Sequence, residues 1–151
     1  MPRNRDLRKP CVRSDGKVTR HEELIRELID SDPRMCRNGF ARSMKPLFER
    51  EGIYPENVPL GEFIPDAYLL DEEAKEIRIY EVEVTNALSN FKIQSLGMFW
   101  FYMDCEMTKW MPRLYVVDRY GAMTELCMLK CYRQVLAHHA PGRVVTTSLA
   151  A

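Results

Sequence analysis

Three acidic side chains, Asp66, Glu81 and Glu83, have the types and spacing in this sequence that point most directly to chemistry. Glu81 and Glu83 lie near the end of Ile77-Arg78-Ile79-Tyr80-Glu81-Val82-Glu83-Val84-Thr85, a run rich in β-branched and aromatic residues that reads as a strand. Side chains alternate across a strand, so Ile77, Ile79, Glu81 and Glu83 share one face while Tyr80, Val82 and Val84 share the other. A strand apolar on both sides belongs inside a sheet. Two carboxylates on its inner face repel each other and lose hydration unless a cation lies between them. Asp66, on the preceding arm of a hairpin, comes beside Glu81 across the pair and completes three hard oxygen donors suited to Mg²⁺ or Mn²⁺. Such a cluster serves phosphodiester cleavage, which needs an activated water and neutralised charge around the scissile phosphate. The plainer alternative puts Glu81 and Glu83 on a solvated edge strand, with Asp66 merely opening a turn.

The charge distribution agrees with a polyanionic substrate. The net charge is zero, yet residues 1–50 hold 13 Lys/Arg against 8 Asp/Glu, residues 51–90 hold 2 against 10, and residues 91–151 hold 7 against 4. Carboxylates in the central block would hold metal, and the flanking cations would meet phosphates. Asp71, Glu72, Glu73 and Glu76 read as solvated surface. Five cysteines without framework spacing suit a reducing compartment. Cys127 and Cys131, with His138 and His139, make an irregular zinc pattern, whereas Met128 and Leu129 between the cysteines look like strand core and favour buried thiols. The longest apolar run, Leu96 to Met103, is too short for a bilayer. The expectation is a soluble cytoplasmic protein, or a viral protein acting in the host cytoplasm, with no membrane partner.

The elements that must position these groups follow from periodicity. A chain of 151 residues that is 46% hydrophobic supports one core. Residues 1–18 form a basic arm containing Arg3, Arg5, Arg8, Lys9 and Arg13. Residues 19–140 form a single domain, and residues 141–151 a loose tail. Thr19 and Glu22 suggest a capped start for a helix near 20–31, which Pro33 stops. Phe40, Met44, Leu47 and Phe48 suggest a second helix ending at Gly52, with Pro46 inside it. A hairpin follows, with arms 63–70 and 77–85 around a polar turn at 71–76. Then come a long helix over 87–106, strands at 113–117 and 123–129, and a last helix near 131–139. This order predicts an α/β fold with a central mixed sheet of four to five strands flanked by helices.

Ile64-Pro65-Asp66, a hairpin, Glu81-Val82-Glu83 closing an apolar strand, and then a helix resemble the core of the PD-(D/E)xK nuclease superfamily over residues 63–105. The resemblance implies a restriction-endonuclease-like core and a Mg²⁺- or Mn²⁺-dependent endonuclease acting on nucleic acid, DNA rather than RNA. Asp66 and Glu81 would bind the metal, and the backbone carbonyl of Val82 would face it. Where the family most often has Lys this chain has Glu83, which some members also carry as a metal ligand or general base. Lys92 and Gln94 match a Lys-x-Gln arrangement on the following helix. Lys92 either supplies the missing cation or is an ordinary surface lysine. The family's first-helix acid has three candidates, Glu23, Glu27 and Glu49. Arg37 and Arg42, with Arg34, join the arm as phosphate contacts, and a homodimer fits enzymes that must cut two strands. Two alternatives stand beside this one. The first is a catalytically inactive nuclease-like binding or assembly module. The second is an unrelated interaction protein presenting Trp100, Phe101, Tyr102 and Trp110.

Overall fold

A computed structural model describes residues 16–52, 64–105 and 109–138. The arm cations Arg3, Arg5, Arg8, Lys9 and Arg13, and the 141–151 tail, lie outside the described residues. In chain order the elements are α1 (Arg20–Ser31), α2 (Phe40–Glu51), β1 (Ala67–Asp71), β2 (Glu76–Glu83), α3 (Asn90–Cys105), β3 (Met111–Asp118), β4 (Met123–Leu126) and α4 (Met128–His138). The protein is α/β, with a four-stranded mixed open sheet in the order β1-β2-β3-β4. β1 pairs antiparallel with β2, β2 parallel with β3, and β3 antiparallel with β4. The α3 crossover between β2 and β3 is what makes the central pair parallel.

Alternation along β2 divides the core as its sequence requires. Ile77 and Ile79 face a cluster built with Phe40, Met44 and Phe48 of α2, Leu96 and Phe99 of α3, and Met128 and Cys131 of α4. Tyr80 and Val82 face the opposite cluster, with Leu24, Ile25 and Leu28 of α1. Helices therefore cover both sides of the sheet, and β2 is buried on both faces. No helix among the described residues is long and apolar enough to cross a membrane.

Several expectations change at this level. Thr19 does cap α1, its hydroxyl accepting from the Glu22 N–H at 3.1 Å. The Glu22 carboxylate has a role beyond the capping box. It is fully buried and paired with Arg37, and Arg26 also reaches it at 3.1 Å. Arg37 is only 5% exposed, so the assignment of this cation to phosphate contact is corrected: it neutralises an internal carboxylate. Residues 127–129 are not strand, because β4 ends at Leu126 and α4 begins at Met128. Cys131 is buried on α4, and burial, with Cys127 nearby, pushes its thiol up to about 11. Cys127 is exposed, against the expectation of a buried thiol, and the side chains of His138 and His139 lie outside the described residues. Trp110 is buried, and its Nε1–H donates to Glu51 at 2.9 Å. Trp100 and Phe101 pack on Tyr132 of α4, with ring centroids 5.6 and 4.8 Å apart. Trp100, Phe101 and Tyr102 are half-buried, and the first two join α3 to α4.

Gly97 is the point of closest approach between α3 and α4. A Cβ there would lie 2.7 Å from the Cys131 carbonyl carbon and from the Tyr132 nitrogen, both backbone atoms that cannot rotate aside. Gly97→Ala is expected to push the helices apart and cost about 1–3 kcal/mol, read as a lower urea midpoint at unchanged m-value. Arg37→Ala strands the buried Glu22 charge, a change that typically costs about 3–5 kcal/mol. Arg26 will soften it, and the same unfolding measurement should show a loss larger than that of Arg42→Ala on the exposed face of α2.

Candidate functional site

The β1–β2 ladder ends where Ala67 pairs with Tyr80, and the site begins there. One step further along the register Asp66 stands opposite Glu81. The Val82 N–H donates to Asp66 Oδ2 at 2.8 Å, which fixes the carboxylate at the sheet end. By strand parity Asp66 shares the face of Tyr68, and Glu81 that of Ile79, so both acids lie on one side of the sheet.

A cavity of about 590 Å³ opens at this end. Its walls are the first residues of α1 (Thr19, Arg20, His21), the connecting segment 84–89, and Lys92 at the start of α3, around Asp66, Glu81 and Glu83. Ser89 caps α3, its hydroxyl accepting from the Lys92 N–H at 3.2 Å. That cap starts the helix at Asn90, later than its apolar pattern suggests, and sets Lys92 in the first turn. The Lys92 ammonium then reaches Glu81 Oε2 at 2.8 Å. Of the two readings of Lys92, the structure gives the one that faces the site.

Glu81 is 1% exposed, and its other oxygen, Oε1, is buried without a hydrogen-bond partner. Burial, reinforced by the neighbouring Asp66 charge and only partly offset by Lys92, pushes Glu81 up to about 8. Burial acts on Asp66 in the same direction, but His21, the Val82 N–H and Lys92 outweigh it and hold this acid at about 2. The neighbouring carboxyls are thus split, one firmly ionised and the other reluctant to ionise. Their shared need is positive charge.

Not every expected ligand arrives. Among the described residues no group of three or more His, Cys, Asp and Glu side chains forms a metal-ligating cluster. Glu83 lines the cavity, but its Oε1 accepts from the Leu88 N–H at 3.1 Å, which ties it to the 84–89 segment. The expected triad is corrected to an adjacent pair, Asp66 and Glu81, with Glu83 at the wall. The first-helix acids do not join either. Glu23 and Glu27 are exposed and pair with Arg20, and Glu49 is exposed on α2. Gln94 is half-buried and does not line the cavity, since residues two apart on a helix leave it in different directions. Arg34 pairs with Asp32 and Asp71.

His21 is the residue that sequence reading missed. Its Nε2 lies 3.4 Å from Asp66 Oδ2. The signal was its position two residues after the Thr19 cap, but only the packing of α1 across the sheet end brings it to Asp66.

No protein family, no curated protein and no solved structure matches this chain. The functional conclusion rests on the chemistry of the site itself.

The split carboxyls give a signed pH dependence. Between the ordinary carboxylate range and pH 8 the folded protein keeps a proton on Glu81 that the unfolded chain has released, so stability falls as pH rises through that window. Asp66 works oppositely, adding stability that is lost only as pH falls toward 2. Glu81→Gln should therefore flatten the decline in melting temperature from pH 5 to 8.5 and exceed wild type at the alkaline end, as followed by circular dichroism. A parallel decline in both proteins would remove Glu81 as its cause.

Proposed function

We propose that this protein is a divalent-metal-dependent nuclease of the PD-(D/E)xK kind, with a restriction-endonuclease-like core. Asp66 and Glu81 hold the cation, and Lys92 is the basic partner. The observation that carries this reading is the pairing of Asp66 with Glu81, whose buried Oε1 has no partner. Hard carboxylate oxygens side by side in a partly enclosed cavity fit Mg²⁺ or Mn²⁺, and a small cation would relieve both the mutual repulsion and the orphaned acceptor. Val82 and Glu83 also line the cavity, and their oxygens are the further donors this reading assigns. When bound, such a cation supplies charge neutralisation for the phosphate and an acidified water.

The chain's own residues do the rest. The Val82 N–H fixes the orientation of Asp66. Lys92, 31% exposed and already at Glu81, is placed to meet a phosphate oxygen brought to the same carboxylates. His21 lies 3.4 Å from Asp66 and, with Arg20, lines the wall formed by the start of α1. The 84–89 segment and the start of α1 restrict water around the carboxyls.

A second reading, a nuclease-like module that binds nucleic acid without cutting it, is favoured by one observation. Lys92 already occupies one oxygen of Glu81, and Glu83 is engaged elsewhere. The two readings separate on labelled single-stranded, duplex and branched DNA with Mg²⁺ or Mn²⁺. Cleavage is expected, and Asp66→Asn and Glu81→Gln should each lower it by about a thousandfold, the equivalent of several kcal/mol of charge stabilisation. Both variants should melt cooperatively. If no substrate is cut while DNA is still bound, the non-catalytic module takes its place.

A further inference from the structure

Most described aromatic residues are buried or half-buried, and Phe91 and Tyr120 are the two that stay mostly exposed, at 51% and 79%. Both lie at the site end of the sheet. Phe91 precedes Lys92 in the first turn of α3. Tyr120 is at the tip of the β3–β4 hairpin, and that tip belongs to the same end because β2 and β3 are parallel, with Glu83 opposite Asp118. Arg20, on the cavity wall, donates through Nε to the Arg119 carbonyl at 2.9 Å, which ties the tip to the mouth of the site. The Arg119 guanidinium lies 5.5 Å from the centre of the Tyr120 ring.

Exposed rings interleaved with cations are how proteins hold unpaired nucleotides: bases stack on the aromatic faces, and Lys or Arg meets the phosphates between them. The cavity points the same way by a separate route. Glu81 is 1% exposed and the Asp66 side chain 13%, so a reacting phosphodiester must enter the cavity to reach them. At about 590 Å³ this is a pocket of small-ligand size, able to take a single nucleotide. A flexible single strand can feed one nucleotide into it while the neighbouring bases stay stacked outside.

Resting on the nuclease reading above, we propose that the substrate is single-stranded nucleic acid, or the frayed end of a duplex, gripped by base stacking on Phe91 and Tyr120 at the cavity rim. Arg119 attends the strand's phosphates beside Tyr120, on a tip held by Arg20.

The test is fluorescence anisotropy in EDTA, using a labelled oligothymidylate alone and the same strand annealed to oligoadenylate. The single strand should bind at least about tenfold more tightly than the duplex, and Tyr120→Ala and Phe91→Ala should each weaken it by about five- to a hundredfold, the range of a lost stacked base. Tyr120→Trp, which keeps a ring, should bind like wild type. Both positions are exposed, so unchanged melting temperatures should accompany the alanine variants. Equal or tighter binding of duplex, wild-type affinity in both alanine variants, or no binding of either probe overturns the proposal. Binding in EDTA needs neither metal nor cleavage, so the outcomes stay distinguishable. Metal-dependent cutting lost in Asp66→Asn, without strand preference, spares the nuclease and removes the stacking rim. Ring-dependent strand binding without cutting does the reverse.

Discussion

The bond from the Val82 N–H to Asp66 is the joint on which the site depends. It forms just past the last paired residue of β1, Ala67, where a side-chain oxygen and not a backbone carbonyl accepts from that N–H. One step of strand register then puts Asp66 beside Glu81, and the pair is held with Asp66 ionised and a proton kept on Glu81. Lys92 from α3 and His21 from α1 reach the two carboxyls. Each comes from the first turn of its helix, where the backbone dipole also favours anionic groups nearby. The acids thus explain why two helices, one on each face of the sheet, both begin at this end.

The rest of the molecule tolerates that concentration of charge by being well packed elsewhere. Ile77 and Ile79 lie below Glu81 on the same face of β2, held by α2, α3 and α4, with the Gly97 crossing fixing how closely α3 and α4 approach. On the other face, Tyr80 and Val82 rest on α1, and the base of that helix is locked by Glu22 and Arg37. That buried pair is far from neutral in its consequences: it sets the position of the first turn of α1, and so of His21. The ion pair that removed Arg37 from the list of phosphate contacts is part of what builds the cavity wall.

Much of this was legible in the sequence, because period and parity are local properties. The alternation along residues 77–83 correctly placed Glu81 on the face of Ile77 and Ile79, and the Thr19 cap placed the start of α1. The α3 boundary was read early because Ser89, and not the first apolar residue, starts the helix. Residues 127–129 looked like strand because a short apolar run does not distinguish strand from buried helix. What could not be read were contacts made between distant segments: Arg37 with Glu22, Glu83 with the Leu88 N–H, His21 with Asp66. Each depends on which residues the fold makes neighbours, and residue type alone gives a charge without saying where it is neutralised.

A neutral protein can still address a polyanion if its charge is sorted in space, and the parallel pairing of β2 with β3 does that sorting. It brings the carboxyl ends of both strands to one edge, so the β3–β4 tip with Arg119 and Tyr120 must emerge beside the acids at the end of β2. Open α/β sheets commonly bind ligands beyond the carboxyl ends of their strands. Here that position holds a buried acidic pair inside and exposed rings and cations outside. An antiparallel β3 would carry the hairpin tip to the far end and leave the carboxylates without that rim. The crossover through α3, capped by Ser89, therefore does two things at once: it delivers Lys92 to Glu81, and it sets the β3–β4 tip at the same end of the sheet as the acids.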